Sequence, residues 1–168
     1  MINDKLRELV GRTAVNFDKS VRGDLIIFTM GLVEEIKEAI DAFYEPDFKI
    51  ELADAVWYSV ANDMCLGFNL LDFHQVQIGT KSNRYTFRHA SSALDAALSA
   101  AILHMGKVKK YVRDYPNRPD DTIRGYMEPL IILNDYFDLS DSYDLLSTKL
   151  EKRYPAGFDP TRVDPNLR

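Results

Sequence analysis

Residues Leu25 to Gly67, LIIFTMGLVEEIKEAIDAFYEPDFKIELADAVWYSVANDMCLG, decide the fold. Over Leu25 to Phe43, apolar residues recur at Val33, Ile36, Ile40 and Phe43. That i, i+3, i+7, i+10 spacing belongs to a helix with one buried face. Beyond a turn at Pro46, the pattern repeats at Ile50, Ala53, Val56, Trp57, Val60, Ala61 and Met64. Gly67 suits the end of this second helix, and Asp24, after Gly23, suits the N-cap of the first. Helices joined by so short a turn lie antiparallel, so the stretch predicts a helical hairpin.

The flanking sequence reads the same way. Asp4 to Phe17 is an amphipathic first helix, and a shorter helix is expected near Leu70 to Ile78. A third long helix is expected after Ser91 and Ser92, through ALDAALSAAILHMGKVKKYVRD (Ala93 to Asp114), whose alanines favour helix and close approach. Thr122 to Phe137 and Ser142 to Tyr154 read as two more, with Pro129 predicting a kink or a late start in the former. Tyr85 to Phe87 is the one candidate strand. The predicted fold is all-α, a bundle of antiparallel helical hairpins in a single domain over residues 1–154. Three prolines in PAGFDPTRVDPNLR predict an extended tail over residues 155–168.

Composition narrows the function classes. With 168 residues, 46% hydrophobic and 28% charged, the chain has the proportions of a soluble globular domain. A chain of this length buries roughly two-thirds of its unfolded surface and needs no metal or disulfide to fold. Twenty-six acidic residues against 21 Lys and Arg, a net charge of −5, argue against nucleic acid as a partner. Cys65 is the only cysteine, which rules out an intramolecular disulfide and a cysteine zinc site. The opening MINDKLREL has no apolar signal core, and Ala93 to Leu103 is too short for a membrane span, so a cytoplasmic protein without a membrane partner is expected.

The chemical signal lies in the hairpin. From Glu34 to Asp54 eight acids face only Lys37 and Lys49, a local charge of −6. Glu35 and Glu38 are three apart on one helix, and Glu51 and Asp54 three apart on the next, so each pair shares a face. In an antiparallel pair, level residues have position numbers with a constant sum. Glu38 with Glu51 and Glu35 with Asp54 both give 89, which sets four carboxylates in two rungs. Such a group repels itself unless a cation sits within it, and all-oxygen ligands suit Mg²⁺ or Mn²⁺. A solvated helix face would carry the same charge run.

EEIKE (Glu34 to Glu38) followed by ELAD (Glu51 to Asp54) resembles the EExxE…ExxD signature of the MazG-like all-α nucleoside triphosphate pyrophosphohydrolases. ELADAVWYSVANDMCLG resembles that family's second acidic helix, and KLEKRYPAGF (Lys149 to Phe158) its closing KxxxR segment. The resemblance implies hydrolysis of a nucleoside triphosphate to monophosphate and pyrophosphate. It implies Mg²⁺, or Mn²⁺, held by Glu35, Glu38, Glu51 and Asp54, with Glu34 as the candidate catalytic residue at the attacking water. Lys149 and Arg153 would bind phosphate, and a homodimer or homotetramer is expected. No Gly-rich phosphate loop occurs in the sequence. Phosphoribosyl-ATP pyrophosphohydrolases resemble the same acidic pattern, and a non-catalytic helical interaction module with an acidic patch is the alternative from another class.

The longer second half resembles a worn copy of the unit, a degenerate tandem repeat. AILHMGKVKKYVRD matches the first acidic helix with His104 and Lys107 where Glu35 and Glu38 stand, LNDYFDLS parallels ANDMCLGF, and KSNRY parallels KLEKRY. Trp57 and Tyr58 read more readily as core than as base-stacking rings. His74, His89 and His104 share no ligand spacing.

Overall fold

A computed structural model describes residues 2–14, 21–66, 76–114, 125 and 127–154. Among them it has six helices and no strand. These are α1 (Ile2–Thr13), α2 (Val21–Asp41), α3 (Phe48–Leu66), α4 (Ala90–Asp114), α5 (Met127–Tyr136) and α6 (Ser142–Arg153). The protein is all-α, as its periodicity requires.

Several boundaries move for local reasons. α2 starts at Val21, so Asp24 lies inside the first turn, near the positive helix end, and is not the N-cap. α4 starts at Ala90 and takes in Ser91 and Ser92. Over the described residues α5 runs from Met127, with Pro129 in its first turn; residues 122–124 and 126 of the expected helix lie outside them. Tyr85 to Phe87 forms no strand. Its rings stack at 6.1 Å, and Phe87 meets Tyr136 edge-on at 6.5 Å. Val76 to Ile78 is not helical. The rest of the helix expected there, Gly67, His74, Thr122 to Arg124 and the tail 155–168 lie outside the described residues.

α3 is the central helix. It packs on α2, α6, α1 and α5, and α4 packs on α2 and α5. The core between them contains Leu32, Ile36, Val56, Val60, Leu94, Leu130 and Leu133, all buried. α2 and α3 run antiparallel through the turn 42–47, where the Glu45 amide donates to the Ala42 carbonyl (2.7 Å). Phe43 meets Phe48 edge-on at 5.2 Å, and Phe48 meets Phe137 at 5.4 Å, so an aromatic row ties the turn to the end of α5. α4 is antiparallel to α2: Leu25 clusters with Val108 and Tyr111 at one end, and Ile40 and Phe43 share a groove with Leu94 at the other.

Buried polar groups fix the parts that apolar packing leaves loose. Thr29 Oγ1 donates to Asn62 Oδ1 (3.1 Å) between α2 and α3, and Arg7 of α1 pairs with the fully buried Asp63 carboxylate. The segment 77–85 is tied to α5 by two neighbouring side chains. Asn134 Oδ1 accepts from the Gly79 amide (2.8 Å), and its Nδ2 donates to the Thr80 carbonyl (2.6 Å). Asp135 accepts from the amides of Ser82, Asn83, Arg84 and Tyr85 and from the Ser82 hydroxyl, at 2.5–3.1 Å. The segment turns through Gly79 (φ 82°) and Asn83 (φ 58°), both left-handed. No described helix is long and apolar enough to cross a membrane.

Candidate metal centre

α2 and α3 keep the expected register. Gly31 lies under the Tyr58 ring, and this pair also sums to 89. One carboxylate oxygen from each of Glu35, Glu38 and Glu51 falls within 4.8 Å of the others. Glu35 and Glu51 are half-buried and Glu38 is exposed. Asp54, the fourth expected ligand, is 9% exposed and carries the ammonium of Lys149, brought over by α6. It sits beside the three glutamates, near enough to act on the charges of Glu35 and Glu51.

The other candidates stand around this group. Arg153, one turn after Lys149, is exposed, and its positive field reaches Asp54 and Tyr58. Its guanidinium lies 5.7 Å from the Tyr154 ring centre. Glu34 is exposed on α2, outside the three-carboxylate group, and its charge bears on Tyr58. The final helix therefore does look across at the acidic hairpin, with Lys149 as the direct contact.

The charges are out of balance. Burial, then the fields of Asp54 and Glu38, push Glu35 up to about 8. Glu51 is raised by burial and by Asp54, against a hydrogen bond from Glu35. Such a bond between two carboxyl groups needs a proton, and burial with the neighbouring acids favours the protonated form of Glu35. Burial raises Asp54 despite the Lys149 ion pair. Burial alone would lower Lys149, but the hydrogen bond to Asp54 and the surrounding acids hold it above its ordinary value. One lysine does not neutralise four carboxyls.

Sequence reasoning undervalued Tyr58. Its ring is half-buried on the bare face of Gly31, and burial with the charge of Glu35 pushes the phenol up to about 12. It is part of the wall of the acidic site, and the same constant sum that paired the carboxylates pairs it with Gly31. A methyl group on Gly31 would overlap the ring. Gly31→Ala is therefore expected to destabilise the protein by about 1–3 kcal/mol, more than the ~1 kcal/mol gained in helix propensity. Urea denaturation of the variant measures this; a gain in stability would mean that the ring moves aside freely.

Other singled-out residues stay outside. Trp57 Nε1 donates to Thr13 Oγ1 (3.0 Å), a core role. Burial pushes the Cys65 thiol up to about 11, so it stays protonated. His89 is exposed and distant in sequence from His104, which is buried and pushed down to about 4 by burial and by Lys107.

The donor set fits a hard divalent cation. All ligand atoms are carboxylate oxygens, three converge, and the site holds more negative charge than its lysine offsets. A bound cation would let Glu35 release its proton. Comparison with protein-family models, with curated proteins and with solved structures found no match to this chain.

Proposed function

We propose that the protein is a divalent-metal-dependent nucleoside triphosphate pyrophosphohydrolase, converting an NTP or dNTP and water to the monophosphate and pyrophosphate. The observation that carries the reading is the convergence of Glu35, Glu38 and Glu51, with Asp54 and Lys149 adjoining, on two helices and a third. Mg²⁺, or Mn²⁺, would be held by Glu35, Glu38, Glu51 and Asp54, and when bound it supplies the positive charge that polarises phosphate oxygens.

The chain's own groups have distinct tasks in this reading. Lys149 pairs with Asp54 while its side chain stays 44% exposed, so the ammonium can be shared with an incoming phosphate oxygen. Arg153, one turn further along, offers its guanidinium fork to the same polyanion. Glu34, exposed beside the cluster, accepts the proton of the attacking water as the oxygen bonds to phosphorus, and pyrophosphate leaves. Tyr58 closes the site on the α3 side.

A panel of nucleoside and deoxynucleoside triphosphates with Mg²⁺, read by pyrophosphate release, tests this directly. No release from any of them with Mg²⁺ or Mn²⁺ would leave the acidic-patch interaction module as the better account. Arg153→Ala is expected to lower kcat/KM by about 10- to 150-fold, the roughly 1.5–3 kcal/mol of a charge-assisted contact. Metal affinity without nucleotide should hardly change, because the residue is no ligand. Equal losses in both would assign Arg153 to the fold of the site instead.

A further inference from the structure

The fourth expected ligand is already occupied. Asp54 adjoins the three glutamates that converge, yet it is not among them, and its Oδ2 carries the Lys149 ammonium instead. The two partners are unequally held. The Asp54 side chain is 12% exposed on the central helix, whereas that of Lys149 is 44% exposed. A lysine head is a compact point charge on a flexible four-carbon stem. The ammonium can therefore leave Asp54 by rotation about its own side-chain bonds, with the backbone of α6 in place, and regain water as it goes. One turn along the same helix, Arg153 is exposed, so the released ammonium joins a guanidinium.

Charge decides when it leaves. Asp54, Glu35 and Glu51 together supply the negative field that holds the ammonium. A dication among Glu35, Glu38 and Glu51 cancels the glutamates' share of that field and repels the ammonium at close range. The buried Asp54 carboxylate still needs a positive partner, and the dication supplies one with twice the charge. The lysine is the weaker competitor for that carboxylate because it brings one charge where four acids call for more.

We propose that Lys149 is an internal counter-ion that a divalent cation displaces from Asp54, so that metal binding frees its ammonium for the phosphates of the substrate. The substrate half of this inference rests on the hydrolase reading, and the whole names a regulation of the same site. Without metal, the lysine is engaged and a nucleotide meets bare acids; with metal, the same lysine is released towards it. Metal and nucleotide then each raise the other's affinity.

Two measurements without nucleotide test the displacement. In the first, the full chain is exposed briefly to an amine-acetylating ester, and each lysine is followed by mass spectrometry of its peptides. Lys149 is expected to react slowly in the metal-free protein and about fivefold faster or more under saturating MgCl2 or MnCl2. Lys110, exposed on α4, should keep its rate. In the second, titration calorimetry with MnCl2 compares variants. Lys149→Gln removes the competing charge and should tighten metal binding about tenfold, whereas loss of a lysine that merely orients Asp54 as a ligand would weaken it. Lys149→Arg should weaken metal binding severalfold, because a guanidinium fork grips a carboxylate through two bonds.

Unchanged Lys149 reactivity at metal saturation, or weaker binding in Lys149→Gln, overturns the displacement and leaves the hydrolase reading standing. Failure of the wild type to bind either metal overturns both. Metal-driven exposure of Lys149 in a protein that releases no pyrophosphate supports the displacement and removes the hydrolase.

Discussion

Glu35→Gln is expected to remove pyrophosphate release by about a thousandfold or more while making the metal-free protein more stable. The first effect follows from withdrawing a ligand charge on which several kcal/mol of phosphate stabilisation would depend. The second follows from linkage. The folded pKa stands at about 8, above the ordinary 4.5, so between those values the folded state keeps a proton that the unfolded chain releases. Stability is therefore complete below 4.5 and falls as pH rises towards 8. At neutral pH the cost is about 1–2 kcal/mol, once discounted for the water that still reaches this half-buried group. Glutamine has nothing to ionise, so its thermal midpoint should exceed the wild type's by about 2–8 °C. Mg²⁺ should raise the wild-type midpoint at pH 7 and leave the variant nearly unmoved. A variant that melts lower without metal, or turns over normally, would remove Glu35 from the site.

Asp135→Ala is expected to cost about 3–4 kcal/mol, the largest effect on stability of any single change considered. Its carboxylate accepts from four consecutive backbone amides, Ser82 to Tyr85, and from the Ser82 hydroxyl. Bonds to a charged acceptor are the strong kind, and their loss leaves donors facing a small void on the α5 side. Asp135→Asn should cost less, because one oxygen remains, although the amide nitrogen then confronts other donors. Chemical denaturation gives both values, and hydrogen exchange should accelerate first at residues 82–85. A loss below about 1 kcal/mol for the alanine variant would mean that water replaces the carboxylate at little cost.

The acidic hairpin was legible because its information is local. Glu35, Glu38, Glu51 and Asp54 lie within one helix–turn–helix, where a turn and a constant sum fix who faces whom. The apolar period likewise located α2, α3 and α4, the long helices among the described residues. Asp135 was not legible, because its partners lie 50–53 positions away and no periodicity links an acid to a distant run of amides. Its exposure of only 6% goes against the usual reading of Asp as a surface residue. Asp24 failed as an N-cap for a different reason: the helix continues upstream through Gly23, which a local capping rule treats as a boundary. Tyr58 and Gly31 fell between these cases. The register predicted the meeting, but an aromatic on an apolar arc reads as core until the glycine opposite it is noticed.

The bond from Lys149 to Asp54 joins positions 95 apart, and this separation sets an order of assembly. As the chain leaves the ribosome, α2 and α3 can collapse on each other long before α6 exists. The early hairpin carries four mutually repelling carboxyls with no ammonium among them, so solvent ions or protons must screen it. The last helix then arrives as the counter-charge that lets the half-formed structure close. Low ionic strength should make this interval hardest for the nascent chain, because Lys149 on α6 brings its ammonium to the acidic group only when the last helix docks.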